Sequence, residues 1–237
     1  MLEVNNIFSG TSLDWLGYMI GIIPILSKGA LTSIELAVCG LIGGFILGIL
    51  LAIAKFYGKG VIRLISVWYI EFFRGTPMLL QLFLIYFGLP EIGISFDRYI
   101  AVIISLALNS AAYQAEDFRG GLNAIDDGQI IAARTVGMNF KQAFLKVVFP
   151  QLFRIILPSW SNEVIYIVKY AAIAFTVAVP DIMAYAKMLI TYQFRPVEVF
   201  IVVSLIYIVL LSVIGSVMGT IEKKFSVPGL ILDSARS

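Results

Sequence analysis

Ser159-Trp-Ser-Asn-Glu-Val-Ile-Tyr-Ile-Val-Lys-Tyr170 interrupts a run, residues 156–180, that is otherwise largely Ile, Val, Ala and Phe. At about 100° per residue, Ser159, Asn162, Glu163, Tyr166, Lys169 and Tyr170 fall within roughly 120° of one helix face. A membrane helix with one polar stripe must turn it toward a cavity or a bundle core. Each charge left at the bilayer centre costs at least ~2.5–3.5 kcal/mol. The stretch therefore predicts a polytopic helical membrane protein with something polar inside it. Glu163 and Lys169 lie on opposite edges of the stripe, so direct pairing on an undistorted helix is poor. Unpaired, Glu163 favours a cation, and Tyr166 and Tyr170 add cation–π attraction for an ammonium or guanidinium. Ser159, Asn162, Glu163, Tyr166 and Tyr170 are the candidate ligand-binding set, with a purely structural polar network as the competing reading.

Composition agrees with a membrane setting. Of 237 residues, 60% are hydrophobic and 14% charged, and the mean hydropathy is +0.95. Soluble domains run about 45–50% apolar and about 25% charged. A net charge of +2 is too small to point to nucleic acid. The chain has no histidine, which removes Ser-His-Asp and Cys-His catalysis, H-E-x-x-H zinc sites and histidine haem ligation. It also lacks a G-x-x-x-x-G-K-[ST] phosphate loop, so it does not hydrolyse ATP by that device. Cys39 is a single cysteine in an apolar run and reads as a small packing residue. Glu3 and Asp14 precede the first basic residue, Lys28, so a cleavable signal peptide is not expected.

Five segments are long and apolar enough to cross about 30 Å of hydrocarbon: about 29–56, 64–89, 98–118, 156–180 and 196–221. Residues 1–28 read as an extracytoplasmic segment, in which Trp15 to Ile25 forms an interfacial helix ending near Pro24. Lys55, Lys59, Arg63, Arg119, Arg134, Lys141, Lys146, Arg154, Lys223, Lys224 and Arg236 fall on one side of these spans. By the positive-inside rule that side is cytoplasmic. The N-terminus is then outside, and the tail 222–237 inside. Gly40, Gly44 and Gly48 form a small-residue ladder on the first span, and Gly215 and Gly219 a shorter one on the fifth. Such ladders let backbones approach closely, with packing inside one protomer favoured over a dimer seam.

The loop of about 119–155 is the one sizeable polar segment. Asp126 with Gln129 gives a capping-box pattern for a short helix that Gly137 stops. Asn139 with Gln142 repeats it for a second helix, expected to end before Pro150. Two capped helices at an angle make a rigid knob. In the second span, Arg74-Gly-Thr-Pro77 predicts a bend or break, because Pro77 lacks an amide and Gly75 adds freedom. Arg74 beside it should face protein, water or headgroups. The third span carries a weaker polar face of Ser105, Asn109, Tyr113 and Glu116, read as structural.

With these residues placed, the chain resembles the permease subunits of polar amino-acid ATP-binding cassette (ABC) importers over most of residues 29–224. Ile131-Ala-Ala-Arg-Thr-Val-Gly137 with Val147-Val-Phe-Pro150 is similar to that family's EAA loop. Phe72-Phe-Arg-Gly-Thr-Pro77, Ala111-Ala-Tyr-Gln-Ala-Glu116, Phe118-Arg-Gly-Gly-Leu122, Ser161-Asn-Glu163 and Phe194-Arg-Pro-Val-Glu198 match its other signatures. The resemblance implies the type I importer fold, five spans per chain, in the bacterial inner membrane. It further implies two such chains forming the pathway, identical or paralogous, above two ATPase subunits that carry ATP and Mg. An extracytoplasmic amino-acid-binding protein delivers the substrate, and this chain binds no cofactor of its own. Asp127, Ile131, Ala132, Ala133, Arg134 and Gly137 are the implied ATPase-coupling residues, and Arg74, Gly75, Thr76 and Pro77 the break or gate. Asn162 and Glu163 fall where substrate polar groups are met. Two positions depart from the family pattern. Ile131 stands where Glu is usual, and Tyr170-Ala-Ala follows Lys169 where polar residues are usual. An ion-coupled transporter using Glu163 and Lys169, or a non-transporting assembly subunit, are the alternatives.

Overall fold

The fold is almost wholly helical. The computed structural model describes residues 15–126 and 128–225. Asp127, the first 14 residues and most of the expected tail lie outside the described residues. In chain order the helices are α1 (Trp15–Tyr57), α2 (Gly60–Gly75), α3 (Met78–Phe83) and α4 (Arg98–Asn123). Then come α5 (Gly128–Thr135), α6 (Phe140–Ala143), α7 (Phe149–Ala171), α8 (Ile182–Gln193) and α9 (Pro196–Phe225). By length and composition α1, the run Phe140–Val177 and α9 can cross a membrane. The run Gly60–Gly75 with Met78–Ile92 qualifies as a pair bent by 108°. α4 misses this measure because it carries Asn109, Gln114, Glu116, Asp117 and Arg119 along its length.

Three sequence expectations need correction. Pro24 does not end a separate interfacial helix, because α1 runs unbroken for 43 residues, about 65 Å. Its N-terminal half is held by packing: Ile22, Ile25 and Leu26 are buried against Ile182, Ala186 and Leu189 of α8 and Val202 of α9. Pro150 does not end the second loop helix either. A π-turn at Phe144–Val148 joins α6 to α7, so the widened turn takes Pro150 into the first turn of α7. The loop is thus one short helix plus the start of a long one, not two short helices. The break expected at Arg74-Gly-Thr-Pro77 is present, as two arms at a steep angle. Finally, Cys39 is exposed on α1 and fills no core.

α1 and α4 form the central seam. A Cβ on Gly44 would stand 2.8 Å from Ser110 and Gln114 side-chain atoms, and one on Gly48 would stand 3.0 Å from the Ala111 carbonyl. The first glycine ladder therefore packs within the chain, where close contact substitutes for the hydrophobic drive that lipid removes. Gly219 of the second ladder has nothing within 4 Å of a Cβ position.

The break between α2 and α3 exposes backbone groups that lipid cannot satisfy. Gln81 supplies the donors, with Nε2 donating to the Phe73 carbonyl at 2.8 Å, the Thr76 carbonyl at 3.0 Å and Thr76 Oγ1 at 2.9 Å. Asn109 of α4 donates to Gln81 Oε1 at 2.9 Å. These side chains make the break a fixed corner.

At the loop, the Asp126 carboxyl accepts from the Gly128 amide at 2.6 Å. Gly137 adopts φ +85°, and the Gly137 and Met138 amides donate to the Arg134 and Ala133 carbonyls at 3.0 and 3.1 Å. This left-handed stop closes α5. Asn139 and Gln142 form a reciprocal capping box at the start of α6, and Phe140 packs edge-on against Tyr57 of α1.

Candidate functional site

A cavity of about 530 Å³ opens between the corner of α2, the last turns of α4 and the polar face of α7. Arg74, Tyr113, Glu116, Asp117, Ser159, Asn162, Glu163, Tyr166 and Tyr170 line it. All five residues of the predicted binding stripe are present, because their helical spacing puts them on the face of α7 that turns toward α4.

Glu163 is almost buried, at 6% exposure. Its Oε1 accepts from the Ser110 hydroxyl at 2.5 Å. Ser110 in turn accepts from Gln114 at 2.9 Å, and Gln114 Oε1 accepts from the Trp160 indole at 2.8 Å. This chain of donors fixes the carboxyl at the junction of the α1–α4 seam and the cavity. Tyr166 is half exposed, and Lys169 lies over its ring at 5.1 Å. Among the described residues Lys169 makes no ion pair with Glu163. Asn162 is exposed, with one long amide contact of 3.3 Å to the Pro158 carbonyl. Its side chain is available to a ligand. Ser159 donates to the Ile156 carbonyl at 2.9 Å.

The opposite wall comes from α2 and α4. Arg74, the last side chain before the corner, lies over the Tyr113 ring at 5.5 Å and reaches the cavity. Gly75 and Pro77 shape the corner without lining the cavity, and Thr76 is occupied by its bond to the Phe72 carbonyl at 2.8 Å. Glu116 touches the cavity but is held by Lys55 at 2.6 Å and Arg119 at 2.9 Å. The weak face of the third span thus divides. Asn109 serves the corner, Ser105 bonds the Ala101 carbonyl at 2.7 Å, and Tyr113 belongs to the cavity.

Asp117 is the residue that the sequence reading missed. It lines the cavity and stands beside the Ser159 hydroxyl, with Arg74 and Glu116 in electrostatic range. The signal was present: Tyr113 and Asp117 are one helical turn apart and share a face.

The described coupling residues lie on α5 and at the Gly137 stop after it, and none of them lines this cavity. Ile131, Ala132, Arg134 and Gly137 are exposed and Ala133 is buried; Asp127 is outside the described residues. Ile131 is 63% exposed and Val136 73%, so this loop presents an apolar surface with Arg134 on its edge.

Residues 18–227 match the family described as "Binding-protein-dependent transport system inner membrane component". A probable amino-acid ABC transporter permease, PatM of Vibrio harveyi, is 42% identical over 193 residues, 80% of this chain and 86% of the relative. The arginine transport system permease ArtQ of Bacillus subtilis (strain 168) is 37% identical over 205 residues, 85% of this chain and 93% of its own. A solved amino acid ABC transporter, crystallised with histidines, superimposes with a TM-score of 0.79 at 32% identity, covering 90% of this chain and 100% of the other. The chain belongs to the inner-membrane permease subunits of binding-protein-dependent ABC transporters. It is a multi-pass membrane protein that serves transport and not catalysis.

Proposed function

We propose that this chain forms the translocation pathway of an ATP-driven amino-acid importer, and that the cavity between α4 and α7 holds the substrate. The observation that carries this is the convergence of Glu163, Asn162, Tyr166, Tyr170 and Arg74 on one cavity inside an apolar bundle. Arg74 offers a cation to the substrate carboxylate. Glu163 offers an anion to an ammonium, and the tyrosines a π face. Kinship with amino-acid permeases supports the substrate class.

In this reading five spans cross the membrane, with α2 and α3 together making the second and α4 the third. The N-terminus is outside and the C-terminus inside, in keeping with the Lys and Arg distribution. Two such chains flank the pathway, and two partner ATPases bind ATP and Mg below them. An extracytoplasmic binding protein supplies the amino acid. The exposed surface of α5 receives the ATPase motion, with Ile131 making the contact apolar.

The test is reconstitution of the chain with its ATPase and binding protein in liposomes, followed by ATP-dependent uptake of labelled arginine against unlabelled amino acids. Uptake that Glu163→Gln weakens supports the site. Uptake driven by an ion gradient without the ATPase would sink the proposal. Uptake that appears only with a second permease chain makes the pathway a heterodimer.

A further inference from the structure

We infer that Asp117 is a second cation-binding carboxyl of the cavity, and that it selects substrates carrying an ammonium or guanidinium on the side chain. This rests on the cavity being the substrate site.

The argument begins with neighbouring carboxyls that have different fates. Glu116 is fully engaged, since Lys55 and Arg119 take its two oxygens. One residue on, Asp117 points about 100° away around the helix, onto the cavity wall. Among the described residues it makes no ion pair. Setting aside Glu116 with its two partners, the wall presents Arg74 against Asp117 and Glu163. One cation faces two carboxyls. Glu163 lies in electrostatic range of Asp117. A ligand with one carboxylate and two cationic groups gives each of these three side chains a partner. A neutral-side-chain amino acid leaves one carboxyl without a partner, and that mismatch is what discriminates.

The spacing fits a long side chain. Asp117 stands at the level of Ser159, one turn of α7 from Glu163, about 6 Å along the axis. That separation suits two cations at opposite ends of an extended aliphatic stem, as in lysine or arginine. Tyr113, one turn before Asp117, and Tyr166, beyond Glu163 on α7, line the same cavity and offer faces for the stem.

The experiment measures equilibrium binding of labelled L-arginine and L-glutamine to the chain in complex with its ATPase in nanodiscs, without binding protein. That omission removes the binding protein's own selectivity. Wild type should bind arginine at least about ten-fold more tightly than glutamine. Asp117→Asn should abolish that ratio while glutamine affinity stays within about two-fold. Asp117→Glu should restore part of the preference, which a merely structural role for Asp117 does not predict. Asp117→Ser is measured alongside, with the melting temperature of each complex, so that misfolding of one variant does not decide the result. A ratio unchanged in both Asp117→Asn and Asp117→Ser overturns the inference. So does a wild type that binds arginine no more tightly than glutamine. Glu163→Gln separates the two levels of the reading. If it weakens both ligands while the Asp117 variants change nothing, the cavity stands and Asp117 does not. If it changes neither, the cavity itself is not the substrate site.

Discussion

Helix α4 shows two faces of opposite character. Toward α1 it is dry and closely packed, with Ser110, Ala111 and Ala115 set against Gly44 and Gly48. Toward α7 and the α2 corner it carries Tyr113, Glu116 and Asp117 onto an open cavity. The first face tolerates no added atom, and the second leaves about 530 Å³ unfilled. The difference separates two kinds of polar residue in a membrane helix. Those on the packed side and at the corner are spent on the protein's own groups, backbone carbonyls and buried side chains alike. On the cavity side Glu116 is held by its two cations, while Tyr113 and Asp117 keep bonding capacity for something else.

That contrast can be broken by substitution. Gly44→Leu should have the largest effect, because the new side chain meets Ser110 and Gln114 at less than contact distance. Overpacking of this kind costs about 3 kcal/mol or more, seen as loss of monodisperse protein on size-exclusion chromatography. Gln81→Leu should come next. It leaves the Phe73 and Thr76 carbonyls short of donors, at about 2 kcal/mol, and should lower the melting temperature in detergent without altering the arginine-to-glutamine binding ratio. If the ratio changes with it, corner and cavity are not separable. Gly137→Pro, remote from both faces, should cost about 1 kcal/mol by disrupting the left-handed stop. Its main readout is functional: ATP hydrolysis should persist while uptake falls. Ser110→Ala should have the smallest effect on stability, within about 1 kcal/mol, since its Cβ remains in the seam. It removes the donor to Glu163, so ligand affinity should shift while the melting temperature barely moves. A large drop in melting temperature would assign Ser110 to the packed face alone.

The sequence revealed the α7 side of the cavity well. Ser159, Asn162, Glu163, Tyr166 and Tyr170 stand out because polar residues at helical spacing are conspicuous in an apolar run. The α4 side was harder to read. Ser105, Asn109, Tyr113 and Glu116 look like one polar face, yet they serve different partners that only the packing of α1, α2 and α3 determines. Asp117 was hidden by its position, since a carboxyl beside Glu116 and Arg119 near a span end reads as ordinary interfacial charge. Prolines were legible at Pro77 and misleading at Pro24 and Pro150. Pro77 sits at a corner of 108° because Gly75, Gln81 and Asn109 accommodate it. Pro24 and Pro158 lie inside continuous helices. Whether a proline breaks a helix depends on who bonds the freed carbonyls, and those partners are remote in sequence. The change of helix type after Ala171 was also illegible from side chains. α7 tightens into a 3₁₀ run at Ala172–Val177 without the polar residues usual there.

The joining of α6 to α7 makes the run Phe140–Val177 a single rod. From Phe140 to Glu163 is about 35 Å along its axis. A displacement applied at the loop end would reach the cavity wall along one continuous helix. The widened turn at Phe144–Val148 is where such a rod can shorten or rotate, and its compliance sets how much of that displacement arrives.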